Sequence, residues 1–572
     1  MAARRAGSPA PPPGPPAPGG TADAADPART ASSRLRSSRP GASRPGGADG
    51  SLRSAGPQRA AVQAGLAALV CAAALAAATA WLPLSHDDLF LHLETGEWIV
   101  EHRAVPTTDP FSHTRAGERW VTHEWAFSLL VWAGERLGGL GALSGLKLAL
   151  ALALWATVAA TAWRAARRSA PHDPAAAATP FPPALLVAPL VALAVYAVSL
   201  ELILRAALAG ALCFALLVLL LPRFAERPGW RRGAPIVPLV LLWANLHSGV
   251  IFGLFLLGLA AAEGVVRGRR QGAGSGARPS AWLALAAAAG LAALVNPNGL
   301  EALLYPLRLA ALLSDPASGF TRGHFAGGWS GREALLALLA AAALAGLLLA
   351  RRRGLGAAGE RWPAFGWIAL VVFAALSLRT ARVGIELAVL AVPATAAAWA
   401  PLLAALPAAR RAGWAFAAVV SPVALVLAVL IASHRPPGAV SPAFPEDAVG
   451  FLAEHGVRGR LFHHQNWGGY LAWRLGVPLF WDGRNDVFAP LVRELATTPF
   501  AEVARRHRVG TLLLSGREVE QLAAELASGR WQLAWHDERS AVFYARRPET
   551  ATGSPPAAPA ILVPWQAPAA PP

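Results

Sequence analysis

Residues 61–88 read AVQAGLAALVCAAALAAATAWLPLSHDD, an apolar run that ends in two adjacent acids, Asp87 and Asp88. A helix of about 20 apolar residues crosses the ~30 Å hydrocarbon layer of a bilayer. The run therefore predicts a transmembrane helix and places both acids at the membrane surface. Comparable runs recur near 141–163, 183–202, 205–221, 235–247, 249–266, 282–297, 333–350, 362–378, 383–405 and 413–432. Hydrophobic residues make up 55% of the 572 and charged residues 15%, against roughly 25% charged in a soluble domain. Mean hydropathy is +0.41. A soluble enzyme, a fibrous protein and a two-helix anchor are excluded. The expected fold is a polytopic α-helical membrane protein with about 11 transmembrane helices.

The net charge of +17 carries little information by itself. Lys147 is the only lysine, and the arginine bias accompanies an excess of Ala, Gly and Pro, as a GC-rich genome produces. No nucleic-acid partner is expected. The position of the charge says more, because Lys and Arg collect in cytoplasmic loops. The connections 164–168, 223–232, 267–278, 351–361 and 410–411 are all basic. Eleven spans with a cytoplasmic N-terminus put every one of them on the cytoplasmic side. The stretch 235–266 fits this count only as two short helices meeting at Asn245–Gly249. Cys71 and Cys213 both lie in apolar runs, so neither a disulfide scaffold nor a four-ligand zinc site is available.

Four regions follow. Residues 1–58, rich in Pro, Gly, Ser and Arg, read as a disordered basic cytoplasmic segment. Residues 59–435 form the transmembrane domain, with 83–137 as its first outer loop. Residues 441–549 alternate short β-like runs (LFHH, VPLFW, TLLLS, AVFYA) with helical patterns, which predicts a small α/β periplasmic domain. The tail 550–572 is Pro/Ala-rich and reads as flexible.

The first outer loop is dense in ionisable groups, among them His86, Asp87, Asp88, His92, Asp109, His123 and Glu124. Asp88 and His92 are spaced i, i+4 and share one helix face. A carboxylate part-desolvated by Leu89, Phe90 and Leu91 suits a general base acting on an acceptor hydroxyl. The plain alternative is a solvated loop whose acids only enforce orientation. Arg205, Arg379 and Arg382, with Arg322 and His324, lie at or between apolar runs. Arginine at that depth faces a protein cavity or a partner, and its fork matches phosphate oxygens. The alternative pairs Glu201 with Arg205 and leaves the others snorkelling to the interface. Asn245 and His247, within WANLHSG, require hydrogen-bond partners in a membrane helix or else mark packing and turn positions.

DDLFLHLETGEWI, TDPFSHT, HEW, WANLHSG, VNPNG, SLRTAR and NWGGYLAWRLGVPLFWDGR occur in that order over roughly 80–545. Together they resemble a largely uncharacterised bacterial group within the C-type glycosyltransferase superfamily, integral-membrane enzymes that use polyprenyl-phosphate sugars. The resemblance implies a sugar transferred from a polyprenyl-phosphate donor to a cell-envelope glycan, lipid or protein acceptor at the outer face of the bacterial inner membrane. In that family the essential acid follows the first helix, which puts the role on Asp88, with Asp87 and His92 beside it. Arg205, Arg379, Arg382, His123, Glu124, Asn245 and His247 are then the substrate-binding candidates. The chain departs from the group's pattern at Phe90 and Leu91, where two aromatics are common, and at Ala206, where proline is frequent. No cofactor is required; some members use a divalent metal, for which Asp88, His92, His123 and Glu124 would be the ligands. A non-catalytic protein that binds or translocates a polyprenyl-linked glycan is the second reading. Asp482, Arg484 and Asp486 form a polar cluster in the C-terminal region.

Overall fold

The computed structural model describes residues 49–169, 183–271, 278–314, 331–355, 362–404, 409–432 and 436–546. Arg322, His324, residues 1–48 and the tail 547–572 lie outside these. The chain divides into two compact units, Met1–Ser54 and Ala55–Pro572. The architecture below is that of the second.

The protein is a polytopic helical membrane protein with a small sheet near its C-terminus. Among the described residues, six helices are long and apolar enough to span a bilayer: Gln63–Ala80, Trp125–Ser169, Ala206–Glu226, Val250–Arg270, Ala334–Arg352 and Gly384–Ala404. Ala184–Ala197, Pro279–Ala293, Ala364–Ser377 and Phe416–Ala432 are shorter apolar helices. Trp125–Ser169 is two helices in one, broken at Gly138 and at Gly139, whose φ of 60° favours glycine. The break separates a loop-side segment from the apolar run expected at 141–163. Gly384–Ala404 is the innermost helix, buried along almost its whole length. Two of its polar side chains are satisfied internally, as apolar surroundings demand. Thr395 Oγ1 donates to Ala391 O at 2.7 Å, and Trp399 Nε1 donates to Ala342 O at 2.8 Å. The apolar stretch 235–266 is indeed interrupted, with Ile236–Leu246 ending at His247 and Val250–Gln271 starting after Gly249.

The C-terminal sheet has four strands, β1 (Arg460–His463), β2 (Val509–Ser515), β3 (Trp531–His536) and β4 (Ser540–Ala545), in the order β1-β2-β4-β3. β1 and β2 are parallel, while β4 pairs antiparallel with both β2 and β3. Phe462, Phe480, Phe488, Val503, Leu512, Leu514 and Phe543 form the core beside it. LFHH, TLLLS and AVFYA are strands as their alternation predicts. VPLFW is not: Leu479 makes only a single bridge, to Ser112. The strand Trp531–His536 was not anticipated, because its Gln532 and charged flanks weaken the pattern.

The loop after the first helix packs onto this domain instead of standing free in solvent. Leu84 bridges Val440, and Leu479 N donates to Phe111 O at 2.9 Å. The joint closes on Arg484. Its Nε and Nη2 grip Asp482 at 2.6–3.0 Å, and its Nη1 lies 2.8 Å from Asp109 Oδ1. The guanidinium also sits over Trp120, 4.6 Å from the ring centre, with Phe111 and Phe488 alongside. Asp109 and Asp482 are 2% and 0% exposed. TDPFS and WDGR, about 370 residues apart in sequence, thus make one buried charge network. Removing one member of such a network strands the others, at a cost of about 3–5 kcal/mol. Arg484→Ala is therefore expected to lower the thermal unfolding midpoint in detergent and to open 103–121 to limited proteolysis. An unchanged midpoint and digestion pattern would remove the clasp from the fold.

Candidate active site

The site begins where the first transmembrane helix gives way to α1, the loop helix Asp87–His102. His86 is its N-cap, extended at φ −113°, and its Nδ1 accepts the N–H of Asp88 at 3.2 Å. Two acids lie in the first turn, and the ionised one, Asp88, complements the positive end of the helix dipole. The helix is wedged tightly on both sides. A Cβ on Gly96 would lie 2.5 Å from Ser128 O, and one on Gly469 would lie 2.6 Å from Asp87 O. Packing at backbone distance holds both acids in fixed directions.

Those directions differ. Asp87 turns into the C-terminal domain, where its Oδ1 accepts the N–H of Tyr470 at 2.9 Å at the start of helix α2, Gly468–Leu475. It is buried, and its Oδ2 has no hydrogen-bond partner among the described residues. Burial pushes its carboxyl up to about 8, against the Tyr470 and Gly469 amides that hold it down. Its place is that of a helix cap, shielded from the site that Asp88 faces.

Asp88 turns the other way. Its Oδ2 is 2.9 Å from Arg205 Nη2 and 3.3 Å from His86 Nδ1, and about a quarter of its side chain is exposed. Arg205 is the extended N-cap residue of helix α3, Ala206–Glu226. Burial works against the charge of Asp88, but His86, Arg205 and His92 outweigh it and hold the carboxyl below its usual range. Since His86 Nδ1 already accepts a backbone N–H, and burial lowers that imidazole's own pKa, Arg205 is the lasting cation. Arg382 is exposed, in the short turn Ala381–Val383, and lies within electrostatic reach of both Arg205 and Asp88. Arg379 is exposed, and no ion pair of its guanidinium with a described residue joins it to this group. Arg205 thus reaches the loop acid, where one reading of the sequence paired it with Glu201.

Beside Asp88 stands a second group centred on Glu124. Its Oε2 is 3.4 Å from His92 Nε2, and its Oε1 is 3.5 Å from His123 Nε2 and 3.6 Å from His247 Nε2. His92 is anchored through Nδ1 to Ser128 Oγ at 2.9 Å. The His123 ring lies against Tyr305, tilted by 30° with centres 4.1 Å apart, and the Tyr305 hydroxyl donates to Asp486 Oδ1 at 3.0 Å. His247 accepts the N–H of Gly249 at the helix break. Asn245 is fully engaged in holding that break: its Oδ1 accepts from Trp125 Nε1, and its Nδ2 donates to Leu241 O and Val295 O, all at 2.9 Å. Among the described residues, no three of His, Cys, Asp or Glu converge as metal ligands. His92 and His123 pair with Glu124 while Asp88 pairs with Arg205 and His86, a different arrangement from a hard-oxygen metal shell.

Sequence reasoning passed over two residues, one in the C-terminal domain and one in the helix Leu300–Ser314. Gly483, inside WDGR, stands against Asp88, since a Cβ there would be 2.7 Å from its Oδ1. Tyr305 also went unmarked. A glycine between two charged residues was the available signal for the first; nothing local distinguishes the second.

No family model and no curated protein matches the chain. Among solved structures it is similar to the oligosaccharyltransferase of Archaeoglobus fulgidus tethered to an acceptor peptide containing the NVT sequon. The TM-score is 0.48 and the identity 13%, over 84% of this chain and 74% of that one. It is also similar to ArnT from Cupriavidus metallidurans bound to undecaprenyl phosphate, with a TM-score of 0.49 and 14% identity over 84% of this chain and 97% of that one. The likeness is one of fold.

The Glu124 group makes a pH prediction. Burial opposes the charge on Glu124, but His123, His247 and His92 hold its carboxyl far below the usual range. Burial also opposes the charge on His123, and Glu124 raises it. A depressed acid contributes stability that is present above its ordinary 4.5 and lost as pH falls through the native value. A raised histidine contributes stability that is present below its ordinary 6.5 and lost as pH rises through the native value. The gap in melting temperature between the wild type and Glu124→Gln is thus expected to be widest between pH 4.5 and 6.5 and to narrow in alkali. A gap that stays as wide in alkali as it is between pH 4.5 and 6.5 would mean the two charges are not coupled.

Proposed function

We propose that the protein is an integral-membrane glycosyltransferase. It takes a sugar from a polyprenyl-phosphate donor and passes it to a cell-envelope acceptor (a glycan, lipid or protein) at the outer face of the bacterial inner membrane. In this reading the N-terminus is cytoplasmic, and the loop and C-terminal domain are periplasmic. The observation that carries it is the pairing of Asp88 Oδ2 with Arg205 Nη2 at 2.9 Å, at the head of a loop helix that directly follows a transmembrane helix. The sequence resemblance to C-type glycosyltransferases supports the same assignment.

The chemistry follows from competition for one guanidinium. A donor phosphate offers Arg205 two oxygens in fork geometry. As Arg205 engages the phosphate, with Arg382 adding positive charge beside it, Asp88 loses its main countercharge and becomes a stronger base. Asp88 then takes the proton from the acceptor hydroxyl while the acceptor oxygen bonds to the anomeric carbon. The bond from that carbon to the phosphate oxygen breaks, and polyprenyl phosphate leaves with the negative charge held by Arg205. His92, one helical turn on, and the Glu124 group line the adjoining wall, where an acceptor would be oriented.

Removal of a general base costs about 10²–10⁴ in rate. Asp88→Asn should therefore release no polyprenyl phosphate above background when the full-length protein in detergent is offered a panel of polyprenyl-phosphate sugars. Arg205→Ala should weaken binding of undecaprenyl phosphate by about tenfold or more. Turnover by Asp88→Asn would refute the base assignment. Tight binding with no donor consumed by the wild type would favour the binding or translocating protein.

A further inference from the structure

The contact between the C-terminal domain and Asp88 has a use beyond holding the domain in place. A Cβ added to Gly483 would meet Asp88 Oδ1 at 2.7 Å and Asp88 Cγ at 3.9 Å, with no other heavy atom within 4 Å. The backbone there has no left-handed φ, so an L side chain is conformationally acceptable. Neighbouring glycines differ. A Cβ on Gly468 would strike Trp481 O at 2.4 Å, and one on Gly469 would strike Asp87 O and Leu91 N, all of them backbone atoms. Gly468 and Gly469 are thus needed by the fold. The space at Gly483 is reserved for one carboxylate.

The loop cannot yield in place of Asp88. Gln465 Nε2 holds Asp482 O at 2.9 Å, Trp481 Nε1 holds His463 O at 2.7 Å, and the residue on either side of Gly483 belongs to the Asp482–Arg484 clasp. The flexible partner is the Asp88 side chain. Its other oxygen is the one on Arg205, so turning away from residue 483 carries the carboxylate off the guanidinium.

We propose that Gly483 is a positioning residue, whose bare Cα lets the Asp88 carboxylate lie in the one orientation that pairs it with Arg205. This rests on the reading of Asp88 and Arg205 as base and phosphate-binding group. Gly483→Ala displaces the base and frees Arg205 without altering any charge. Turnover falls, while the phosphate site opens.

The test is a double-mutant cycle on the full-length protein in detergent, with undecaprenyl phosphate as the probe. Gly483→Ala is expected to tighten binding about fivefold, the size of a part-exposed ion pair removed from competition. Asp88→Ala is expected to do the same. The double variant should match Asp88→Ala alone, because the shortened side chain no longer reaches residue 483. In a turnover assay Gly483→Ala should lower kcat while lowering the donor KM, a split that a general loosening of the fold does not produce. Equal effects of Gly483→Ala in both backgrounds would overturn the proposal. If no variant binds the probe, the phosphate reading fails by itself, and thermal unfolding decides the rest. Gly483→Ala should then lower the melting temperature by about 2 °C in the wild type and not in Asp88→Ala. An equal shift in both would show that Gly483 does not act through Asp88.

Discussion

The carboxylate of Asp88 is bounded by parts of the chain that are far apart in sequence. One oxygen lies on the guanidinium of Arg205, at the start of a membrane helix, and the other against the backbone of Gly483 in the C-terminal domain. An ion pair at 2.9 Å with a quarter of the carboxylate exposed has an effective dielectric between those of water and protein interior. It holds the acid in its ionised form. The rest of the architecture fixes that geometry: two-sided packing on the loop helix fixes where Asp88 starts, and the buried clasp at Arg484 fixes where Gly483 ends.

Asp87 and Asp88 show how environment assigns different work to adjacent identical residues. Each heads the same helix, and each is disfavoured by burial. Asp87 receives a backbone amide and no countercharge, so its carboxyl rises to about 8. Asp88 receives a guanidinium and stays an anion. A helix N-terminus alone supplies too little to separate them. The difference comes from whether the C-terminal domain or a membrane helix stands opposite.

The break at His247–Gly249 belongs to the same design. An interrupted membrane helix must satisfy its freed backbone groups from other parts of the protein. Here Asn245 does so by joining Trp125 to Val295 O, and His247 accepts the amide of Gly249. The interruption also turns the His247 ring toward Glu124.

The apolar runs, the alternating charge of their connections and the acid pair after the first helix were legible in the sequence, because hydropathy and helix period act over about 20 neighbouring residues. So were the break in 235–266 and three of the four strands. Asp88, His92 and Arg205 stood out by type and position. That Arg205 reaches Asp88 and not Glu201 alone, that Asp87 faces away, and that Asn245 is spent on structure could not be read there. Each depends on rotation of a side chain about a helix whose phase is set by packing against distant segments. The use of Gly483 was the least visible, since a missing side chain has meaning only once the atom that occupies its space is known.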